Sequence, residues 1–226
     1  MTLPRAASPT ASNRLSATPV AATQSLRFVL ASASPRRAAL LAQAGIAPVR
    51  IVAPEVDETP KKDELPRAYA LRMAVAKAEA VSSTLLHPPL EGGEGALILA
   101  ADTVVALGRR ILPKAETAEE VAHCLGLLSG RRHLVMTGLG LVAPGKKIRT
   151  RIVTTRVAFK VLTPREIADY VASGEGEGKA GGYAIQGRAE ALVRSINGSY
   201  SNVVGLPLYE TVSLLEGCGW PMANDE

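Results

Sequence analysis

One segment constrains this chain more than any other: Ala96–Leu107, ALILAADTVVAL. Ala96–Ala101 reads as a buried strand, and Val104–Leu107 continues it beyond Asp102-Thr103. An acid set in such a run must be paired, hydrogen-bonded or metal-bound, because an isolated buried carboxylate is too costly. Asp102 is therefore either a satisfied core acid, or a bulge, or a metal ligand or general base. The run also contains that acid and is too short to be the ~20-residue apolar stretch that a membrane-spanning helix needs.

A chain of 226 residues forms one ordinary domain, or two small lobes around a shared cleft. Apolar residues at 47% supply a core, and aromatics at 4% mean that Ala, Val and Leu must build it. So few aromatics also disfavour a nucleic-acid surface made by stacking. Cys124 and Cys218 have no CxxC spacing, and His87, His123 and His133 lack HExxH spacing, so neither a disulfide framework nor a zinc site is expected. Any metal is then held by carboxylates, which favours Mg²⁺ or Mn²⁺. The net charge is +5, and Arg5 and Arg14 account for two of those charges within the first 25 residues. The mild remainder suits an anionic small molecule better than a DNA backbone.

Residues 1–25 carry no acid and no apolar periodicity; their composition resembles an organellar transit peptide, but the plainer reading is a disordered tail, leaving residues 26–226 as the folded domain. Arg27–Ala31 is a short strand. Ser34-Pro35 opens a helix that stops at Gly45, and Val49–Ala53 is a second strand. Pro66 starts a long helix with Ala68, Leu71, Val75, Ala78 and Val81 as its apolar stripe. His87–Gly95 is a loop. Thr117-x-x-Glu120 and Thr163-Pro164-Arg165-Glu166 are capping boxes, the first opening a helix that ends near Gly130 and the second one that stops at Gly174. Leu134–Ala143 and Lys147–Leu162 are long strands joined at Pro144-Gly145. Gly174–Gly187 is a glycine-rich loop, Glu190–Ile196 a strand, Asn197-Gly198 a hairpin signal, and Pro207–Glu216 a last helix. Helices and hairpins mix without strict alternation, so the expected class is α/β with a mixed sheet and flanking helices.

Four further places carry chemistry. Ala31–Arg37 ends a strand with two hydroxyls and begins a helix with Arg36 and Arg37 in its first turn, where they oppose the helix dipole unless an anion is present. Glu55-Val56-Asp57-Glu58 is either a solvated loop or a hard-cation site. Lys77, Lys114 and Lys179 are isolated lysines, each solvated unless the fold brings it to an anion. In Gly181–Gly187 the glycines flank Gln186, whose amide offers a donor and an acceptor to a base edge. No P-loop and no Ser–His–Asp order is present.

Taken together, LASASPRRAALLAQAGI, ADTVV, LSGRRHLVMTGLGLV and KAGGYAIQG…INGSYSNVVGLPL resemble, in order from about Phe28 to Leu215, the signature blocks of the Maf family of nucleoside triphosphate pyrophosphatases. The resemblance implies two lobes around a deep cleft, as in inosine triphosphate pyrophosphatases. It also implies hydrolysis of a nucleoside triphosphate to the monophosphate and pyrophosphate with a divalent cation, in a cytoplasmic homodimer; the composition, charge and apolar runs above argue for no nucleic-acid or membrane partner. It assigns the catalytic acid to Asp102 and substrate choice to Arg36, Thr103 and Gln186. It places Ser32, Arg37, Lys77 and Lys114 along the site and Glu58 near the metal, for which Asp102 is the other expected ligand. Tyr183-Ala184-Ile185-Gln186-Gly187 resembles the dTTP/UTP branch rather than the 7-methyl-GTP branch. The chain departs from the family pattern at Pro113-Lys114-Ala115 and at Glu175-Gly176-Glu177-Gly178-Lys179. The alternative reading is a nucleotide-sensing regulator of cell division and septum formation with little turnover.

Overall fold

A computed structural model describes residues 26–85 and 95–221. The expected tail at 1–25 and nearly all of the His87–Gly95 loop lie outside the described residues. The described chain runs β1 (Arg27–Ala31), α1 (Pro35–Gln43), β2 (Arg50–Val52), α2 (Pro66–Leu85), β3 (Ala96–Leu107), β4 (Arg110–Leu112), β5 (Lys114–Ala115) and α3 (Ala118–Leu128). It continues through β6 (Arg132–Val142), β7 (Arg149–Phe159), α4 (Pro164–Ala172), β8 (Lys179–Ala180), β9 (Val193–Asn197), α5 (Tyr200–Val204) and α6 (Leu208–Glu216). Both capping boxes form, at Thr117/Glu120 and at Thr163/Glu166.

The sheet is mixed and seven-stranded, in the order β2-β1-β3-β6-β7-β9 with β4 beside β3, and β5 and β8 make a separate ribbon. β1 is parallel to β2 and β3, and the other pairings are antiparallel. β3 is one strand of 12 residues, buried on both faces as its apolar run requires. Even-numbered residues from Ile98 to Ala106 face α2, and odd-numbered ones from Leu97 to Val105 face the larger core. Asp102 and Thr103 are the polar members of these two rows.

β3 is not paired equally along its length. β6 covers one edge from Ile98 to Ala106. On the other edge β1 stops opposite Ala100, and β4 begins opposite Val105. Residues 101–104 therefore face an opening in the sheet, at the C-terminal end of the parallel pair. Ligands in open α/β sheets bind at such places.

Four local expectations are corrected. The buried stripe of α2 is Tyr69, Ala70, Met73, Ala74, Lys77, Ala78 and Val81, so Ala68 is exposed and Leu71 and Val75 are only partly covered. Alanines on several faces leave the periodicity ambiguous, and close approach to β6 decides it: a Cβ on Gly138 would lie 2.3 Å from the Ala70 carbonyl oxygen, and one on Gly140 2.9 Å from that of Ala74. Asn197-Gly198 is not a hairpin. Gly198, at φ 127°, turns β9 into α5, and Ser199 caps that helix. A Cβ there would lie 2.7 Å from Thr155 Oγ1, so glycine is needed for packing as well as for the turn. Residues Arg188–Leu192 form a 3-10 turn, so the strand expected from Glu190 starts at Val193. Ser34 occupies the N-cap position of α1 without a side-chain cap bond; its own N–H donates to Ser32 Oγ at 3.1 Å.

Candidate active site

A cavity of about 490 Å³ opens at the gap beside β3. Its floor is Asp102 and Thr103, one wall is the β1–α1 turn, and another is the β5–β8 ribbon with residues 183–186. All nine residues assigned to the site in sequence line this one cavity: Ser32, Arg36, Arg37, Glu58, Lys77, Asp102, Thr103, Lys114 and Gln186.

The acidic centre is built by α2. The glycines of β6 let α2 lie close on the sheet, and Gly138 is directly opposite Asp102 in the β3–β6 register. That contact brings Lys77 over the strand. Its Nζ lies 2.6 Å from Asp102 Oδ1 and 2.7 Å from Glu58 Oε1, with Lys77 and Asp102 each only 7% exposed. Glu58 Oε2 also meets Lys114 Nζ at 3.3 Å. Partial burial pushes the Glu58 carboxyl up, but the two ammonium groups outweigh it and hold the group below its usual range. Tyr69 fixes the loop by donating to the Glu58 carbonyl at 2.8 Å. Of the three acids expected there, only Glu58 faces the cavity; Asp57 accepts the Thr59 N–H at 2.9 Å in a local turn, and Glu55 is exposed.

The two arginines of α1 have different tasks. Arg37 spends three donors on the protein: Nε on the Gly205 carbonyl at 2.8 Å, one terminal nitrogen on Ser32 Oγ at 3.1 Å, the other on Thr103 Oγ1 at 3.3 Å. It ties β1, β3 and the end of α5 together. Loss of hydration lowers its pKa, Asp102 opposes that, and Arg36 adds to it. Among the described residues Arg36 makes one long bond, Nε to the Val204 carbonyl at 3.4 Å, and keeps the rest of its fork for the cavity. Thr103 Oγ1 is also engaged, with Thr137 Oγ1 at 2.8 Å, so it belongs to the scaffold beneath the cavity as much as to its surface.

The helix start itself has little to offer an anion. Ser34 N–H is used on Ser32, Pro35 has none, and Arg37 N–H bonds the Ser34 carbonyl. Among the described residues the Arg36 amide alone remains in that turn, so anion recognition falls to side chains. Two further charged residues line the cavity, Lys179, read in sequence only as an isolated lysine, and Glu116, not read at all. Lys179 comes from β8, where burial and the nearby Arg36 lower its pKa while Glu116 opposes them. Glu116 follows β5 with no motif to mark it. Register supplies the signal for Lys179, since β5 pairs with β8 and sets Lys114 opposite Ala180 and Ala115 opposite Lys179. Where the chain departs from the family pattern, backbone bonds secure the ribbon: Gly178 N–H to the Ala115 carbonyl at 2.7 Å and Gly181 N–H to that of Pro113 at 3.0 Å.

Five basic groups thus face three acidic ones across a single cavity, with a buried carboxylate at its floor. A crowd of like charges at this density is poised for a polyanion. Among the described residues no three His, Cys, Asp or Glu side chains cluster as a self-sufficient metal site. Asp102 and Glu58, on either side of Lys77, are a pair of oxygen donors of the sort Mg²⁺ accepts when substrate phosphates complete the shell.

Comparisons with known proteins place the whole folded region in one family. A Mesorhizobium japonicum protein named dTTP/UTP pyrophosphatase is 57% identical over 194 residues, covering 86% of this chain and 92% of its own length. A Caulobacter vibrioides protein of the same name is 54% identical over 193 residues, covering 85% of this chain and 96% of its own. Among solved structures, a nucleoside-triphosphatase (dITP/XTP pyrophosphatase) from Mycobacterium abscessus aligns with a TM-score of 0.41 at 16% identity, over 86% of this chain and 95% of that one, a likeness too loose to carry an argument. Residues 27–218, which include every side chain placed around the cavity, match the family described as Maf-like protein, and the chain belongs to that family.

Proposed function

We propose that this chain hydrolyses nucleoside triphosphates, dTTP and UTP foremost, to the monophosphate and pyrophosphate. The observation that carries the reading is the buried Asp102 carboxylate at the floor of a cavity lined by Arg36, Arg37, Lys77, Lys114 and Lys179. The volume of about 490 Å³ is within the range of small-molecule sites. Relatives at 54–58% identity carry the dTTP/UTP pyrophosphatase name.

In this mechanism the free fork of Arg36, with Lys114 and Lys179, binds the phosphate chain and offsets charge on the departing pyrophosphate. Lys77 holds one oxygen of Asp102. The other Asp102 oxygen has no protein partner among the described residues, and it accepts the proton of the attacking water. Arg37 keeps the floor and walls in register. Asp102 and Glu58 are the groups that would hold a Mg²⁺ or Mn²⁺ ion, which when bound screens the phosphates and stabilises the leaving group. Gln186 is exposed to the cavity, and its amide matches the carbonyl and N–H of an uncharged pyrimidine edge.

Product analysis tests the reading. Incubation with dTTP and Mg²⁺ is expected to yield dTMP and pyrophosphate in equal amounts. Release of orthophosphate with dTDP would overturn it, and tight dTTP binding without turnover would favour a nucleotide sensor. The same reading makes the chain a cytoplasmic homodimer, for which sedimentation equilibrium at micromolar concentration is the check. No helix among the described residues is long and apolar enough to cross a membrane.

A further inference from the structure

The segment 183–186 lines the cavity with its outer side, but it is held from behind by residues that do not line the cavity. Tyr170 on α4, 3% exposed, accepts the Ala184 N–H on its hydroxyl at 3.0 Å. The Tyr183 hydroxyl meets His133 Nε2 of β6 at 2.8 Å, with His133 1% exposed. His133, Phe159 and Tyr183 stack edge to face with centroids 5.0–5.4 Å apart. Gly181 and Gly182, both at φ 68°, let the chain before the segment press against Val105 and Val121, where a Cβ would lie 2.8 Å and 3.2 Å from its neighbours. Gln186 then projects from a fixed backbone, and its amide has no protein partner among the described residues.

We propose that Tyr170 is a positioning residue for base selection, acting with the Tyr183–His133 pair to aim the Ala184–Gln186 segment at the nucleotide base. The proposal rests on the pyrophosphatase reading and deepens it. A Gln amide carries both a donor and an acceptor, and a freely moving one satisfies either thymine or cytosine. Discrimination between them needs the amide delivered from one place at one height, which the buried tyrosines supply. The phosphate-binding side chains hang from other elements, α1, α2 and the β5–β8 ribbon, so the base end can be loosened without them.

The test uses the full chain and compares Tyr170→Phe with Gln186→Ala. Steady-state kcat and KM are measured for dTTP and dCTP, together with inhibition by pyrophosphate, which probes the phosphate end alone. Tyr170→Phe is expected to reduce the dTTP/dCTP ratio of kcat/KM on the order of tenfold, through KM for dTTP, because misplacing a contacting group by about an ångström can cost up to ~10²-fold. Pyrophosphate inhibition stays as in the wild type. A wild-type ratio in Tyr170→Phe beside a changed one in Gln186→Ala overturns the positioning role and leaves the Gln186 reading intact. A wild-type ratio in both overturns the two together, and an equal loss of dTTP and pyrophosphate binding shows a merely structural tyrosine. Tyr183→Phe, which removes only the bond to His133, carries the same expectation if Tyr170→Phe does not fold.

Discussion

Replacing Gly138 by alanine should damage the site from behind. Gly138 is opposite Asp102 on β6, and α2 passes over it. An added Cβ would be 2.3 Å from the Ala70 carbonyl oxygen, 2.7 Å from the Ala70 carbonyl carbon and 2.8 Å from Leu71 Cα. All three are backbone atoms, so no side chain can swing aside, and α2 must lift by about 1 Å to restore ordinary contact. Overpacking of this kind costs about 1–3 kcal/mol. For a chain of this length about 2 kcal/mol lowers Tm by roughly 4–8 °C. Lys77 lies two helical turns along from Ala70 on the same face, so the lift draws its Nζ away from Asp102, now 2.6 Å distant. A misplacement of that size should reduce kcat on the order of 10–100-fold. The assay is thermal unfolding beside dTTP turnover for three variants. Gly140→Ala, whose nearest contacts are 2.9–3.3 Å, should show the same effects more weakly. Gly126→Ala, within α3 and with nothing within 4 Å, should raise stability by about 0.5–1 kcal/mol and leave kcat alone. Equal Tm and turnover in Gly138→Ala and the wild type would refute the claim that glycine lets α2 set Lys77 on Asp102.

Three other outcomes follow from the same geometry. Asp102→Asn should cost at least about 10²-fold in kcat, measured as pyrophosphate released from dTTP, and full activity would remove Asp102 from the role of base. Lys77→Met should let the nucleotide-free protein bind Mn²⁺ roughly tenfold or more tightly, read from the electron paramagnetic resonance signal of free Mn²⁺, because an ammonium no longer neutralises Asp102 and Glu58; unchanged affinity would contradict that account. Burial lowers the His133 pKa from 6.5 to about 4. Between those values the unfolded chain binds a proton that the native state does not, so stability is full above about pH 6.5 and falls on acidification towards pH 4, by up to about 3 kcal/mol. Urea unfolding at pH 7 and pH 4 should show a smaller acid loss in His133→Gln than in the wild type, and equal losses would exclude His133 as the group responsible.

The sequence by itself determined much of this molecule, because its strongest signals are local. The capping boxes at Thr117 and Thr163 form as spaced, since Ncap and N3 meet within one turn whatever surrounds them. The double-sided apolar run of β3 had to be an inner strand, and its one acid had to be paired, hydrogen-bonded or metal-bound. Family blocks then gathered nine residues that do line one cavity. What the sequence withheld depends on contacts between distant segments. The stripe of α2 could not be chosen among alanines until Gly138 and Gly140 drew one face down. The turn at Gly198 looked like a hairpin because a positive-φ glycine serves both a hairpin and a strand-to-helix turn. Arg36 and Arg37 are neighbours with the same chemistry, yet the carbonyls of Val204 and Gly205, some 168 residues away, leave one free for a ligand and make the other a strut. Pairing of β5 with β8 brought Lys179 to the site. Side-chain type sets what a group can do; tertiary structure decides which of its bonds are already taken, and that division settles what remains for a substrate.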